Sequence, residues 1–283
     1  MKRTQIIMAT SHVDLHGDMI HPDALKDAVR QIKEKYLPYN IEHDIRRPPI
    51  GRIVSAKVIK LQDGQYALMA TAELFEESDP LESLTGDGRK ISIRDQDIQT
   101  IDFNYDSTFL DKEGQELLHG LSQISGKIER PREIVKKALE PISTLLIYAG
   151  VFVVGSIAKG FFSKLGSDVY DMLKNILIKY FRNRKKISSE QILDLCFSVK
   201  QYNRTFEVHV LAVNPSEQKL NELFTSRFNG VDNLLVSLPL SESDVARIVL
   251  EYENQRLLIR YAVNGDSVPF MFVRTQEKEG NSD

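Results

Sequence analysis

Between Pro141 and Ala158 the chain reads PISTLLIYAGVFVVGSIA, eighteen consecutive residues without a charge. Water penalises such a run, so it has two homes: a bilayer, for which eighteen residues is the low end of the spanning length, or a protein core. After Lys159 comes GFFSKLG and then a helical pattern that places Val169, Met172, Leu173, Ile176, Leu177, Tyr180 and Phe181 on one face. Arg182, Arg184, Lys185 and Lys186 crowd its end. An apolar stripe ending in cations suits a lipid surface. The two segments together predict membrane association, with the first as a candidate transmembrane helix. Basic residues lie on both sides of it, so no orientation follows.

The charge distribution points the same way. Residues 1–126 carry net −6, residues 127–186 net +8 and residues 187–283 net −5. A basic middle between acidic flanks needs an anionic partner, and its interleaved apolar residues favour an anionic membrane over nucleic acid. With 42% hydrophobic and 27% charged residues, the chain is neither wholly disordered nor a polytopic membrane protein. The single cysteine, Cys196, excludes an internal disulfide and a cysteine-based zinc site. The opening MKRTQIIMAT lacks the long apolar run of a signal peptide, so a cytoplasmic, membrane-associated location is expected.

At 283 residues, more than one core is expected. The pattern divides into an N-terminal domain over 1–130, a basic linker with apolar and amphipathic helices over 131–187, a small α+β domain over 188–275 and a frayed tail over 276–283. In the first part, Gln5–Met8, Ile50–Ile59, Tyr66–Leu74 and Lys90–Ile93 read as strands, and Pro22 opens a helix through Ala24, Leu25, Ala28 and Ile32. In the third, Ile192–Val199, Phe206–Ala212, Asn233–Leu238, Arg247–Tyr252 and Leu257–Val263 read as strands and Ser216–Phe224 as a helix. The overall class is α+β. No catalytic spacing stands out in the C-terminal part.

Chemistry concentrates in VDLHGDMIHPDAL (13–25), IEHDIRRPPIGRI (41–53) and KISI (90–93). His43 precedes a rigid Pro48-Pro49 segment, and Ser92 lies in an apolar stretch further on. A serine hydroxyl becomes a nucleophile when an imidazole takes its proton, so His43 and Ser92 are the minimum pair for acyl transfer. His12, Asp14, His16, Asp18 and His21 offer five metal-ligating groups within ten residues, though turn and capping roles compete for them. Neither a metal nor a cofactor is expected. GDGRK (86–90) lacks the spacing of a phosphate-binding loop.

These motifs resemble the phage prohead protease family, the capsid-maturation serine peptidases related in fold to herpesvirus assemblins. Val13, Asp14, Gly17, Asp18, Pro22, Ala24 and Leu25 match its first motif, and His43, Asp44, Pro49, Ile50, Gly51 and Arg52 its second. Ser92 matches the position of its nucleophile. The resemblance covers about residues 1–130 and implies a closed β-barrel-like fold, with His43 as general base and Ser92 as nucleophile. Where the family has an acidic residue that orients the histidine, this chain has Gln123, and His119 is a second candidate for that role. Arg94 stands where the family tends to have glycine. The resemblance thus implies a serine endopeptidase acting on a partner protein or on its own linker. The alternative is a non-catalytic binding module that keeps the protease-like domain.

Overall fold

The computed structural model describes residues 2–13, 19–40, 44–75, 88–94, 101–106, 111–124, 132–134, 142–183, 190–225, 229–240, 244–266 and 268–271. They form a mixed α+β fold with two sheets.

The first sheet holds β1 (Lys2–Thr10), β2 (Leu37–Tyr39), β3 (Gly51–Lys60) and β4 (Tyr66–Leu74) in the order β1-β4-β3-β2, every neighbour antiparallel. Helix α1 (Pro22–Glu34) lies across one face. Its start is set by Pro22 and by the His21 ring, which accepts the Asp23 N–H. Its buried Leu25 and Ile32 pack with Ile53, Leu68, Ala70 and Ala72. Gly51 is required where β3 meets β4, because a Cβ there would stand 2.4 Å from the Glu73 carbonyl oxygen. The next residue, Arg52, forms a buried ion pair with Glu73 at 2.6 Å. The described residues form no closed barrel; the sheet is open, contrary to what the family resemblance implies.

The second sheet has eight strands in the order β12-β11-β10-β9-β8-β7-β5-β6. These are β5 (Asp102–Asp106), β6 (Arg132–Ile134), β7 (Ile142–Val153), β8 (Glu190–Gln201), β9 (Arg204–Val213), β10 (Val245–Glu253), β11 (Arg256–Asn264) and β12 (Pro269–Phe270). It therefore draws strands from all three parts expected from the sequence. The pairs β7–β8 and β9–β10 are parallel and need crossovers. Helices α3 (Ile157–Leu165) and α4 (Ser167–Asn183) supply the first, α5 (Glu217–Thr225) and α6 (Asn229–Ser237) the second. Together with α2 (Lys112–Ser122) they cover one face, burying Leu121, Phe161, Leu177, Phe224 and Leu235 against Leu145, Ile147, Phe197 and Val210. The Asp232 carboxylate of α6 accepts the N–H groups of Ile157 and Ala158, both at 2.9 Å, and so caps α3.

The uncharged run is thus a strand and the first turn of a helix. Strand β7 is hydrogen-bonded to β5 on one side and β8 on the other, and its residues are buried on both faces. A strand covered on both faces loses its polar alternation and reads as a continuous apolar run. Among the described residues no helix is long and apolar enough to cross a membrane, which overturns the transmembrane expectation. Helix α4 does form, but Leu173, Leu177, Tyr180 and Phe181 of its apolar stripe are buried in the core, with Met172 exposed. Lys179 and Arg182 pair with Glu116 and Glu217. Arg184, Lys185 and Lys186 lie outside the described residues.

Two further expectations are corrected. Asn233–Leu238 belongs largely to α6, where Val231 and Leu235 are buried one turn apart. Lys90–Ile93 is not a strand but part of the connector between β4 and β5.

Candidate functional site at the junction of the sheets

The face of the second sheet that the helices leave uncovered carries a polar cluster beside an apolar one of Ile192, Leu211, Val249 and Tyr261. Strand β8 places Asp194, Cys196 and Ser198 there, alternating with Leu193, Leu195 and Phe197 in the helix-side core. Register sets Cys196 opposite His209 and Ser198 opposite Glu207, while β9 and β10 set Arg247 beside Glu207. All are buried except Arg247, which is partly so.

His209 is the hub. Its Nδ1 lies 2.9 and 3.0 Å from the two Asp194 carboxylate oxygens. Its Nε2 lies 3.6 Å from Cys196 Sγ and 3.7 Å from Glu207 Oε2. Arg247 donates from Nε and Nη2 to the same Glu207 oxygen at 3.1 and 2.7 Å. Burial alone would push the His209 pKa down, but the Asp194 carboxylate outweighs it and raises it well above its ordinary value. Burial would also raise the Glu207 carboxyl, yet bonding to His209 and the charge of Arg247 bring it down to about 2. Burial pushes the Cys196 thiol up, further than His209 draws it down.

The order Asp–His–Cys has the connectivity of a nucleophilic triad. Its state is the wrong one for attack. The thiol is 4% exposed and held protonated, and the imidazolium is neutralised by two carboxylates. The cluster balances two anions with two cations, which ties β8, β9 and β10 together.

The motif segments meet this face. Asp44 is buried; burial would raise its carboxyl, but hydrogen bonds from the Arg46 side chain and backbone hold it below its usual range. Arg46 also pairs with Glu190 of β8 at 2.7 Å, and the Ile45 carbonyl accepts the Tyr261 hydroxyl at 2.9 Å. On the connector, Arg89 donates to the carbonyls of Ile32 and Ile53, and Lys90 pairs with Asp266 at 2.6 Å. The Arg94 carbonyl accepts the hydroxyls of Tyr148 and Ser198, and its guanidinium lies 4.8 Å from the Tyr148 ring centre.

Ser92 sits on this connector with its side chain exposed and makes no hydrogen bond to a described residue. His43 lies outside the described residues. His119 and Gln123 are exposed at the end of α2, with Gln123 as its C-cap. The buried Leu117 and Leu121 seat α2 in the helix layer, whereas the connector at Arg94 crosses the opposite face. The structure therefore does not bring His119 or Gln123 to Ser92. Of the N-terminal metal-ligating types, His12 pairs with Asp63 at 2.6 Å and His21 caps α1, while Asp14, His16 and Asp18 lie outside the described residues. Among the described residues no group of three or more His, Cys, Asp or Glu could hold a metal ion.

Sequence reasoning missed the Asp194–His209–Glu207–Arg247 cluster. Its signal was present as alternation: Asp194, Cys196 and Ser198 two apart in one strand, Glu207 and His209 two apart in the next. Comparison with known protein families, curated proteins and solved structures finds no match. The family resemblance accordingly rests on the motifs alone.

Proposed function

We propose that this chain is a non-catalytic binding protein whose protease-like motifs have become struts between two sheets. The observation that carries this reading is the connector: Arg89, Lys90 and Arg94 are committed to opposite sides of the junction, and Ser92 between them is exposed. A nucleophile needs a hydrogen-bonded base and a donor-lined hollow for the developing oxyanion. The motif residues Asp44, Gly51 and Arg52 each have a structural task here, as an ion-pair partner, a close backbone approach and a buried cation. In this reading the second sheet and its helices form the sensing or adaptor part.

A second reading, a serine endopeptidase using His43 and Ser92, is favoured by one observation. Arg46, the ion-pair partner of Asp44 next to His43, and the connector carrying Ser92 both reach the polar face of the same sheet. A fluorophosphonate probe separates the two. The binding-protein reading expects wild type and Ser92→Ala to label equally at background, with unchanged melting. Labelling that disappears in Ser92→Ala and in His43→Ala overturns it in favour of the peptidase.

A further inference from the structure

The connector residues Gly88–Arg94 cross the polar face of the second sheet as a strap, and each of them is at least partly exposed. The strap is fastened at points. Lys90 pairs with Asp266, and its carbonyl accepts the Tyr36 N–H at 3.3 Å. Arg89 donates to the carbonyls of Ile32 in α1 and Ile53 in β3, and the Arg94 carbonyl accepts the Tyr148 and Ser198 hydroxyls. A segment held by hydrogen bonds, with little buried apolar surface, opens locally at far less cost than a core strand.

Beside the Arg94 end of the strap lies a buried nucleophile. Tyr148 is the register partner of Cys196 across β7 and β8, and Ser198 is the next residue on the same face of β8. The two hydroxyls that fasten the strap therefore flank the Cys196 thiol. On its other side His209 Nε2 stands 3.6 Å from Sγ, and Asp194 fixes the opposite ring nitrogen at 2.9 Å. Glu207 and Arg247 complete the charged surroundings and pair with each other at 2.7 Å. A thiol set against an imidazole that a carboxylate orients has the arrangement that forms and steadies a thiolate.

We propose that Gly88–Arg94 is a releasable strap over a reactive thiol: when it lifts, Cys196 reacts once with a small soft electrophile, with His209 and Asp194 steadying the thiolate. Lifting admits water and so removes the burial that holds the thiol protonated, while the His209 imidazolium stays beside it. With iodoacetamide the Cys196 proton passes to water, the S–C bond forms, the C–I bond breaks and iodide leaves. Nothing turns over, so the proposal goes beyond the binding-protein reading without conflicting with it, and it does not involve Ser92.

Iodoacetamide labelling of the full chain at neutral pH, followed by intact mass, tests it, because the chain has one cysteine. Wild type should label far more slowly than the urea-denatured chain. At low urea its rate should rise with a slope below about a third of the equilibrium unfolding slope, since lifting a strap exposes little surface. Tyr148→Phe combined with Ser198→Ala frees the Arg94 carbonyl and should speed labelling by roughly 5- to 100-fold, from two lost hydrogen bonds. Adding His209→Gln to that pair should slow labelling at least about fivefold, because the thiolate loses its counter-ion. If circular dichroism shows that this triple variant does not fold, Asp194→Asn takes the place of His209→Gln, with slower labelling again expected. Ser92→Ala should label as wild type does. Wild-type labelling with the full unfolding slope, or as fast as in the denatured chain, overturns the proposal. So does an unchanged rate in the Tyr148/Ser198 pair, or a folded His209 or Asp194 variant that labels as fast as its parent.

Discussion

The two sheets solve the same problem in different ways. Both alternate apolar and polar residues along their strands, and both have one face covered by helix, α1 alone in the first and five helices in the second. In the first sheet the far face stays in water apart from the buried Arg52–Glu73 pair: Gln5, Ser55 and Lys57 are exposed, and Ile7 is 58% exposed. In the second, the far face is covered, and Asp194, Ser198, Glu207 and His209 are buried there. A hydrated polar residue is held by little, whereas a buried charge must be matched in place. The alternation in the sequence is alike; the covering decides whether its polar half is surface or a second, charged core.

Removing charge partners should separate the sheets most. Asp194→Ala leaves the His209 imidazolium facing Glu207 alone, and is expected to lower unfolding free energy by roughly 3–5 kcal/mol in urea titrations. Arg52→Ala in the first sheet should cost less, on the order of 1–3 kcal/mol, because the exposed Arg3 still reaches Glu73 at 3.3 Å. Equal losses would mean that the far face of the second sheet is no more enclosed than that of the first.

Apolar truncation gives the next effect. Leu145→Ala in β7, 0% exposed, is expected to cost about 2–5 kcal/mol, whereas Ile7→Ala should stay within about 0.5 kcal/mol. A mild Leu145 variant would contradict the placement of β7 in the centre of the sheet.

The pH dependence sharpens the contrast. His209 has a folded pKa above its unfolded value of about 6.5, so its contribution is full below that pH and is lost as pH rises through the folded pKa. Glu207, held at about 2, contributes fully above its ordinary 4.5 and loses that contribution as pH falls toward 2. Melting temperature should therefore peak between about pH 4.5 and 6.5. His209→Gln should flatten the alkaline limb.

A milder effect than that of Leu145→Ala is expected at the α3 cap. Asp232→Asn keeps one acceptor for the two N–H groups and should cost about 1 kcal/mol, with Asp232→Ala costing about 1–3 kcal/mol.

Local features were legible in the sequence. Pro22 and the spacing of Leu25 and Ile32 set α1, the alternation over Gly51–Lys60 and Tyr66–Leu74 sets a hairpin, and the strands over residues 190–213 show by their β-rich runs. Those signals survive because each depends on neighbours within one or two turns of chain. Long-range packing settled the rest. Whether Ile142–Val153 lies in lipid or in a sheet depends on β5 and β8 standing on either side of it. A short apolar run such as Leu234–Val236 takes helix or strand according to what it packs on. The His209 hub depends on register: sliding β9 by one residue against β8 would turn its imidazole into the helix-side core and leave Asp194 unmatched. Charge pairing across strands is a long-range event, so no window of sequence contains it.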